Sequence, residues 1–93
     1  MKTIRQSIIE ILKDKTLSAV ELSHEVRVKE KEIYEHLSHI SKTTAAQGKK
    51  LSIDPARCLK CGYVFKDRRR FTPPGRCPRC RDTYITLPMF RIV

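Results

Sequence analysis

Four cysteines in two pairs, Cys58-x₂-Cys61 and Cys77-x₂-Cys80 with fifteen residues between them, constrain this chain more than anything else in it. Two residues between cysteines form a tight turn that aims both sulfurs at one point. Two such turns face to face supply four thiolates in a tetrahedron, the geometry of a closed structural zinc site. Their surroundings suit turns: Gly62 follows the first pair, where a left-handed backbone is useful, and Pro78 sits inside the second. Disulfides are the competing use of paired cysteines and belong to oxidising compartments. The start, Met1-Lys2-Thr3-Ile4-Arg5-Gln6, runs into amphipathic sequence without a signal peptide's apolar segment, so the expected location is cytoplasmic. A dithiol redox centre needs one CxxC, and here there are two. With four sulfurs engaged, no coordination position stays open for a catalytic water, and one structural Zn2+ is the expected cofactor. A ribbon this small hardly folds without its metal, which supplies on the order of 10–16 kcal/mol in zinc-finger peptides.

The rest of the chain divides near Gly48. Before it lie helix formers and no Pro or Cys; after it come all five Pro, all four Cys and five of the six aromatics. Thr3-Ile4-Arg5-Gln6 fits a capping box, and Ile4, Ile8, Ile11 and Leu12 recur at helical spacing, which predicts a helix over residues 4–14. Ser18-Ala19-Val20-Glu21 is a second capping box, opening a short helix through Val26 with Ala19, Leu22 and Val26 inward. After a turn at Arg27-Val28, a third helix carries Ile33, Tyr34 and Leu37 on its apolar side. Ser38 is read as the cap of a fourth, with Ile40 inside, ending at Gly48. Leu51-Ser52-Ile53-Asp54 alternates like a strand, as do Tyr84-Ile85-Thr86-Leu87 and Phe90-Arg91-Ile92-Val93 around Pro88. Two strands about 30 residues apart can pair as a hairpin whose tip is the cysteine region.

Charge points to a polyanionic partner. The chain carries +10, with ten bases against seven acids in residues 1–50 and ten against three in residues 51–93. A divalent ion on four thiolates adds −2 and leaves +8. Arg68, Arg69, Arg70, Arg76, Arg79 and Arg81, with Lys60 and Lys66, are placed to track a phosphate backbone, with Phe71 free to stack on a base. The alternative, that these arginines are merely solvated or offset the charged metal site, stays open. Tyr63, Phe65 and Tyr84 read as ribbon packing, and His24, His36 and His39 as surface histidines. No GxGxxG or GxxxxGK loop, nucleophile–base pair or carboxylate pair stands out, so neither an enzyme nor a small-molecule substrate is expected. No apolar stretch approaches the roughly 20 residues of a membrane span.

Over about residues 56–84, CLKCGYVF and CPRC resemble the zinc-ribbon and rubredoxin-like family. The resemblance implies two facing turns on short antiparallel strands, and iron with electron transfer as the remote alternative to zinc. Against iron stand the absence of Trp and the Arg-rich connection, where rubredoxins are acidic. Leu22 to Leu37, LSHEVRVKEKEIYEHL, resembles the helix-turn-helix core of winged-helix transcription regulators, with Val28 at the buried turn position and Arg27 where Gly is usual. By that resemblance the groove-facing positions are Lys29, Glu30, Lys31, Glu32, Glu35, His36 and His39. Residues 29–42 sum to zero charge, with Lys29, Lys31 and Lys42 against Glu30, Glu32 and Glu35.

The order of parts, LSHEVRVKEKEIYEHL, LSIDPARCLKCGYVF, CPRC and a terminal FRIV, resembles a family of small archaeal predicted transcriptional regulators. There a winged-helix domain carries a zinc ribbon in its wing. The implied fold class is α+β: a small winged helix-turn-helix body over residues 1–50, and wing strands over 51–93 that carry a Cys₄ ribbon at about 56–84. The strand 84–93 then packs back on the body. Two functions stay open. A DNA-binding regulator uses Lys29, Lys31 and His36 with the arginine-rich ribbon. An adaptor instead docks on a protein of the transcription machinery through its third helix, neutral in net charge, with little DNA binding of its own.

Overall fold

Thr3 opens the first helix in the computed structural model, which describes residues 2–66 and 70–93. Its hydroxyl accepts from the Gln6 amide at 3.1 Å, and the Gln6 side chain accepts from the Thr3 amide at 2.9 Å. These two bonds satisfy amides that a helix start leaves without partners. The helix, α1 (Ile4–Asp14), buries Ile8 and Leu12. Ile4, expected inward, is 39% exposed because it lies a turn ahead of the packed region.

A two-residue strand, β1 (Leu17–Ser18), leads into α2 (Ala19–Val26). Ser18 ends the strand and caps the helix, again through reciprocal bonds with Glu21, at 3.3 and 3.1 Å. At the other end Arg27 adopts a left-handed conformation, φ 56°, and the Val28 amide reaches back to the Ser23 carbonyl at 3.2 Å. This closure reverses the chain into α3 within three residues, with half-buried Val28 packed on the core.

Only one helix follows, α3 (Glu30–Ala46), where two were expected. Ser38 does not cap a new helix. Ile33, Leu37, Ile40 and Thr44 continue one buried stripe at helical spacing, with Ser38 on the exposed side. Thr44 tolerates burial because its hydroxyl donates to the Ile40 carbonyl at 2.9 Å. The end is as expected: Gly48 is left-handed at φ 74°, and the Lys49 amide bonds the Thr44 carbonyl at 2.8 Å.

The strands β2 (Leu51–Asp54) and β3 (Met89–Ile92) pair antiparallel, with Leu51 opposite Ile92 and Asp54 opposite Met89. Lys50 and Val93 add a rung by exchanging both backbone bonds at 2.9 Å. On its other edge β3 pairs with β1, giving the order β1-β3-β2. Residues 84–87 form no strand of this sheet; Ile85 makes a single bridge to Cys58, and β3 begins only after the buried Pro88. Proline lacks the amide that a ladder needs, which separates the two segments.

Phe90 is fully buried at the centre, among Ile8, Leu12, Leu22, Ile33, Leu37 and Ile40. Each such aliphatic contributes about 1.5–3 kcal/mol by leaving water. The core therefore joins all three helices to the sheet, and the cysteine segment leaves and re-enters it between β2 and β3. No helix among the described residues is long and apolar enough to cross a membrane.

Candidate metal centre

The two CxxC segments are built alike. In the first, the Gly62 amide bonds the Cys58 carbonyl at 3.0 Å and the Cys58 amide bonds the Tyr63 carbonyl at 2.8 Å. In the second, the Arg81 amide bonds the Cys77 carbonyl at 2.8 Å and the Cys77 amide bonds the Asp82 carbonyl at 2.9 Å. Each turn closes through a left-handed residue, Gly62 at φ 80° and Arg81 at φ 63°. The first turn is held on a small ladder: Arg57 bridges Val64 on one side, and Cys58 bridges Ile85 on the other.

This arrangement brings the four sulfurs of Cys58, Cys61, Cys77 and Cys80 within 4.8 Å of one another. Cys58 lies 3.5 Å from Cys80, and Cys61 lies 3.5 Å from Cys77, so the close pairs cross between the turns. A tetrahedron with metal–sulfur bonds of about 2.3 Å has sulfur–sulfur edges of roughly 3.8 Å. The donor set therefore fits a tetrahedral thiophilic ion with sulfur movements of no more than about 1 Å.

Backbone amides point at the sulfurs. Those of Cys61 and Lys60 donate to Cys58, and this pulls its thiol down to about 7 against the opposing effect of burial. Burial raises Cys77, but amides of Cys80 and Arg79 outweigh it and leave that thiol lowered as well. The amide of Asp82 favours the Cys80 thiolate, yet partial desolvation of this exposed residue and the three neighbouring sulfurs push its pKa up to about 12. Cys61 is raised despite the Tyr63 amide, through burial and the Cys77 and Cys58 sulfurs. Four negative charges cannot gather here alone; a divalent cation makes them compatible.

Asp82 is a supporting residue that sequence reasoning missed. Its carboxylate accepts from the Tyr84 amide at 2.9 Å and pairs with Lys60 at 3.3 Å, tying the second turn to the first. These same two contacts, the amide first, hold its pKa below the ordinary carboxylate value. The readable signal was an Asp two residues before the residue it bonds, the spacing of an Asx turn.

The aromatics divide differently from expectation. Tyr63 and Phe65 pack edge to face, centroids 5.0 Å apart, as ribbon packing requires. Tyr84, expected to pack with them, is 67% exposed. Phe71, expected to be free for a base, is half-buried against Phe90 at 5.9 Å. Burying a phenyl ring on the core costs less than leaving it in water, so the connection folds inward there.

Of the expected nucleic-acid contacts, Arg70, Arg76, Arg79 and Arg81 are exposed on the ribbon, and Arg68 and Arg69 lie outside the described residues. Lys29 and Lys31 are exposed at the start of α3. His36 is half-buried, its Nδ1 accepting from Arg5 Nε at 3.2 Å.

Residues 3–52 match the PF0610-like N-terminal family, and residues 55–93 match the PF0610 rubredoxin-like zinc β-ribbon domain. Among solved structures, the solution NMR structure of protein PF0610 from Pyrococcus furiosus is similar over 97% of this chain and 88% of that one. The TM-score is 0.80 and the sequence identity 38%. No curated protein matches. Family patterns over both halves, a similar chain at this identity and four gathered sulfurs lead to one conclusion: the chain belongs to the PF0610-like family and carries its zinc β-ribbon domain.

Proposed function

We propose that the chain is a winged-helix regulator of transcription that binds DNA in the cytoplasm, with one structural zinc ion in its ribbon and no catalytic role. The observation that carries this reading is the α2–Arg27–α3 unit closed against the sheet order β1-β3-β2. In helix-turn-helix proteins a second helix so placed lies in the major groove. Here α3 would present Lys29 and Lys31 from its first turn, and the ribbon would bring Arg70, Arg76, Arg79 and Arg81 to phosphates. Zinc is preferred over iron because the chain has no Trp and an Arg-rich connection and matches a zinc β-ribbon domain; with four thiolates engaged, the ion supplies a cross-link between the turns rather than a reaction.

Anisotropy of a labelled duplex pool tests the reading. Binding is expected to weaken linearly in log salt, with a slope of about 0.9 per phosphate contacted. Lys29→Glu with Lys31→Glu should weaken it further. No binding at about 150 mM salt would overturn it.

The second reading, a protein adaptor, rests on α3 itself. Glu30, Glu32 and Glu35 cancel the lysines over residues 29–42, and Arg5 occupies His36 on that face.

A further inference from the structure

The ladder that carries the first cysteine turn has a face that stays open to solvent. Residues 57–59 run antiparallel to 84–86, with Cys58 opposite Ile85. The Leu59 amide bonds the Tyr84 carbonyl, and the Thr86 amide bonds the Arg57 carbonyl, both at 2.9 Å. Side chains alternate along strands, so Cys58 and Ile85 share one side while Arg57, Leu59, Tyr84 and Thr86 share the other. Leu59 is 48% exposed and Tyr84 67%, although they face each other across the ladder. Arg57 is exposed and takes part in neither ion pair among the described residues. From Arg57 and Thr86 the face runs into a cleft of about 720 Å³ between the ribbon and the start of α2, with Val20, Val64, Leu87 and Met89 as apolar walls.

We propose that this face docks a protein segment that presents apolar side chains to Leu59, Tyr84 and the cleft, and a carboxylate to Arg57. A solvent-exposed aromatic beside an aliphatic and an unpaired arginine has the composition of an interface anchor. Three observations select protein over nucleic acid. Glu21 and Asp54 share the cleft with Arg57 and oppose a run of phosphates far more than the single carboxylate of an otherwise apolar segment. Tyr84 offers one flat ring, but Leu59 and Leu87 offer aliphatic contact, so the face as a whole suits apolar side chains better than a row of stacked bases. Ile85 stands opposite Cys58 without sharing hydrogen bonds with it, so its N–H and C=O point away from residues 57–59, to an edge that an extended peptide can pair with. The face lies on the ribbon, apart from the exposed side of α3, and the inference does not depend on DNA binding.

The test is selection from a random 16-residue peptide library against the zinc-loaded chain, followed by amide titration with the selected peptides. Selected sequences should combine apolar residues with Asp or Glu, and should shift the amides of residues 57–59 and 84–87 saturably. Leu59→Ser with Tyr84→Ser should weaken binding by about tenfold or more. Arg57→Glu, which leaves the apolar pair intact, should reverse the preference from acidic to basic peptides. Zinc content and unchanged α1 amides establish that each variant is folded. The proposal is overturned if no peptide is selected, if selected peptides shift residues elsewhere, or if Arg57→Glu leaves their charge preference unchanged. It is equally overturned if a single-stranded oligonucleotide displaces the peptides from this face and binds it more tightly.

Discussion

Arg81 occupies in the second cysteine turn the place that Gly62 holds in the first: each follows the later cysteine of its pair, and each is left-handed, at φ 63° and φ 80°. A side chain in that conformation costs about 1 kcal/mol relative to glycine. Nothing lies within 4 Å of a Cβ built on Gly62, so Gly62→Ala should destabilise by that backbone cost alone. Arg81→Gly should stabilise the zinc-loaded chain by about 0.5–1 kcal/mol while weakening DNA binding. Arg27→Gly, at φ 56° after α2, should stabilise by a similar amount. Denaturant unfolding at saturating zinc checks all three; equal stabilities would mean that the turns relax.

The contact of Phe71 with Phe90 anchors the cysteine connection to the helical core. Phe71→Ala should cost about 1–3 kcal/mol, since the ring is half-buried and leaves an edge of Phe90 unpacked. The same unfolding assay measures it. A loss near zero would mean that the connection packs independently of the body.

Metal removal should act unequally. The core of Ile8, Leu12, Leu22, Ile33, Leu37, Ile40 and Phe90 contains no cysteine, whereas the ribbon has little apolar burial of its own beyond Ala56, Cys58, Pro74, Cys77 and Pro88. A strong chelator should therefore collapse the amide dispersion of residues 55–88 while most helical circular dichroism survives. Cys77→Ser should do the same without chelator. Simultaneous loss of both signals would show that the body depends on the metal.

What the sequence made legible was local. Both capping boxes, the Arg27 and Gly48 turns and the pairing of residues 51–54 with the terminal strand follow from side-chain chemistry at short range, and the structure contains each. The strand Leu17–Ser18 was not legible because two residues show no period. Ser38 misled because a serine suits both a cap and an exposed helix surface, and only the buried stripe through Thr44 decides between them. The gathering of four cysteines was readable from their spacing. Which aromatic is covered was not: the exposure of Tyr84 and the burial of Phe71 depend on where the connection crosses the body.

Acidity acts through two sets of groups. Cys61 and Cys80 are raised and hold protons at neutral pH, so zinc uptake must displace at least these two. Zinc affinity should rise at least about a hundredfold per pH unit near pH 7, measured by chelator competition; a flat profile would contradict the site. Asp82 is lowered, so its contribution is present above the unfolded carboxylate pKa and is lost as pH falls through the folded one. At the alkaline end Tyr34 is raised to about 12 by burial and then by the Glu30 carboxylate. Its contribution is complete below about 10 and is lost as pH approaches 12, which ultraviolet titration follows.

The most direct test of the functional account is an amide-resolved titration of the zinc-loaded chain with a duplex DNA pool at about 150 mM salt. DNA bound by α3 and the ribbon gives shifts gathered on residues 29–39 and 70–81, growing saturably and shrinking as salt rises. Shifts confined to the arginine-rich ribbon and erased by modest salt, or no shifts at all, would contradict a DNA-binding role for α3.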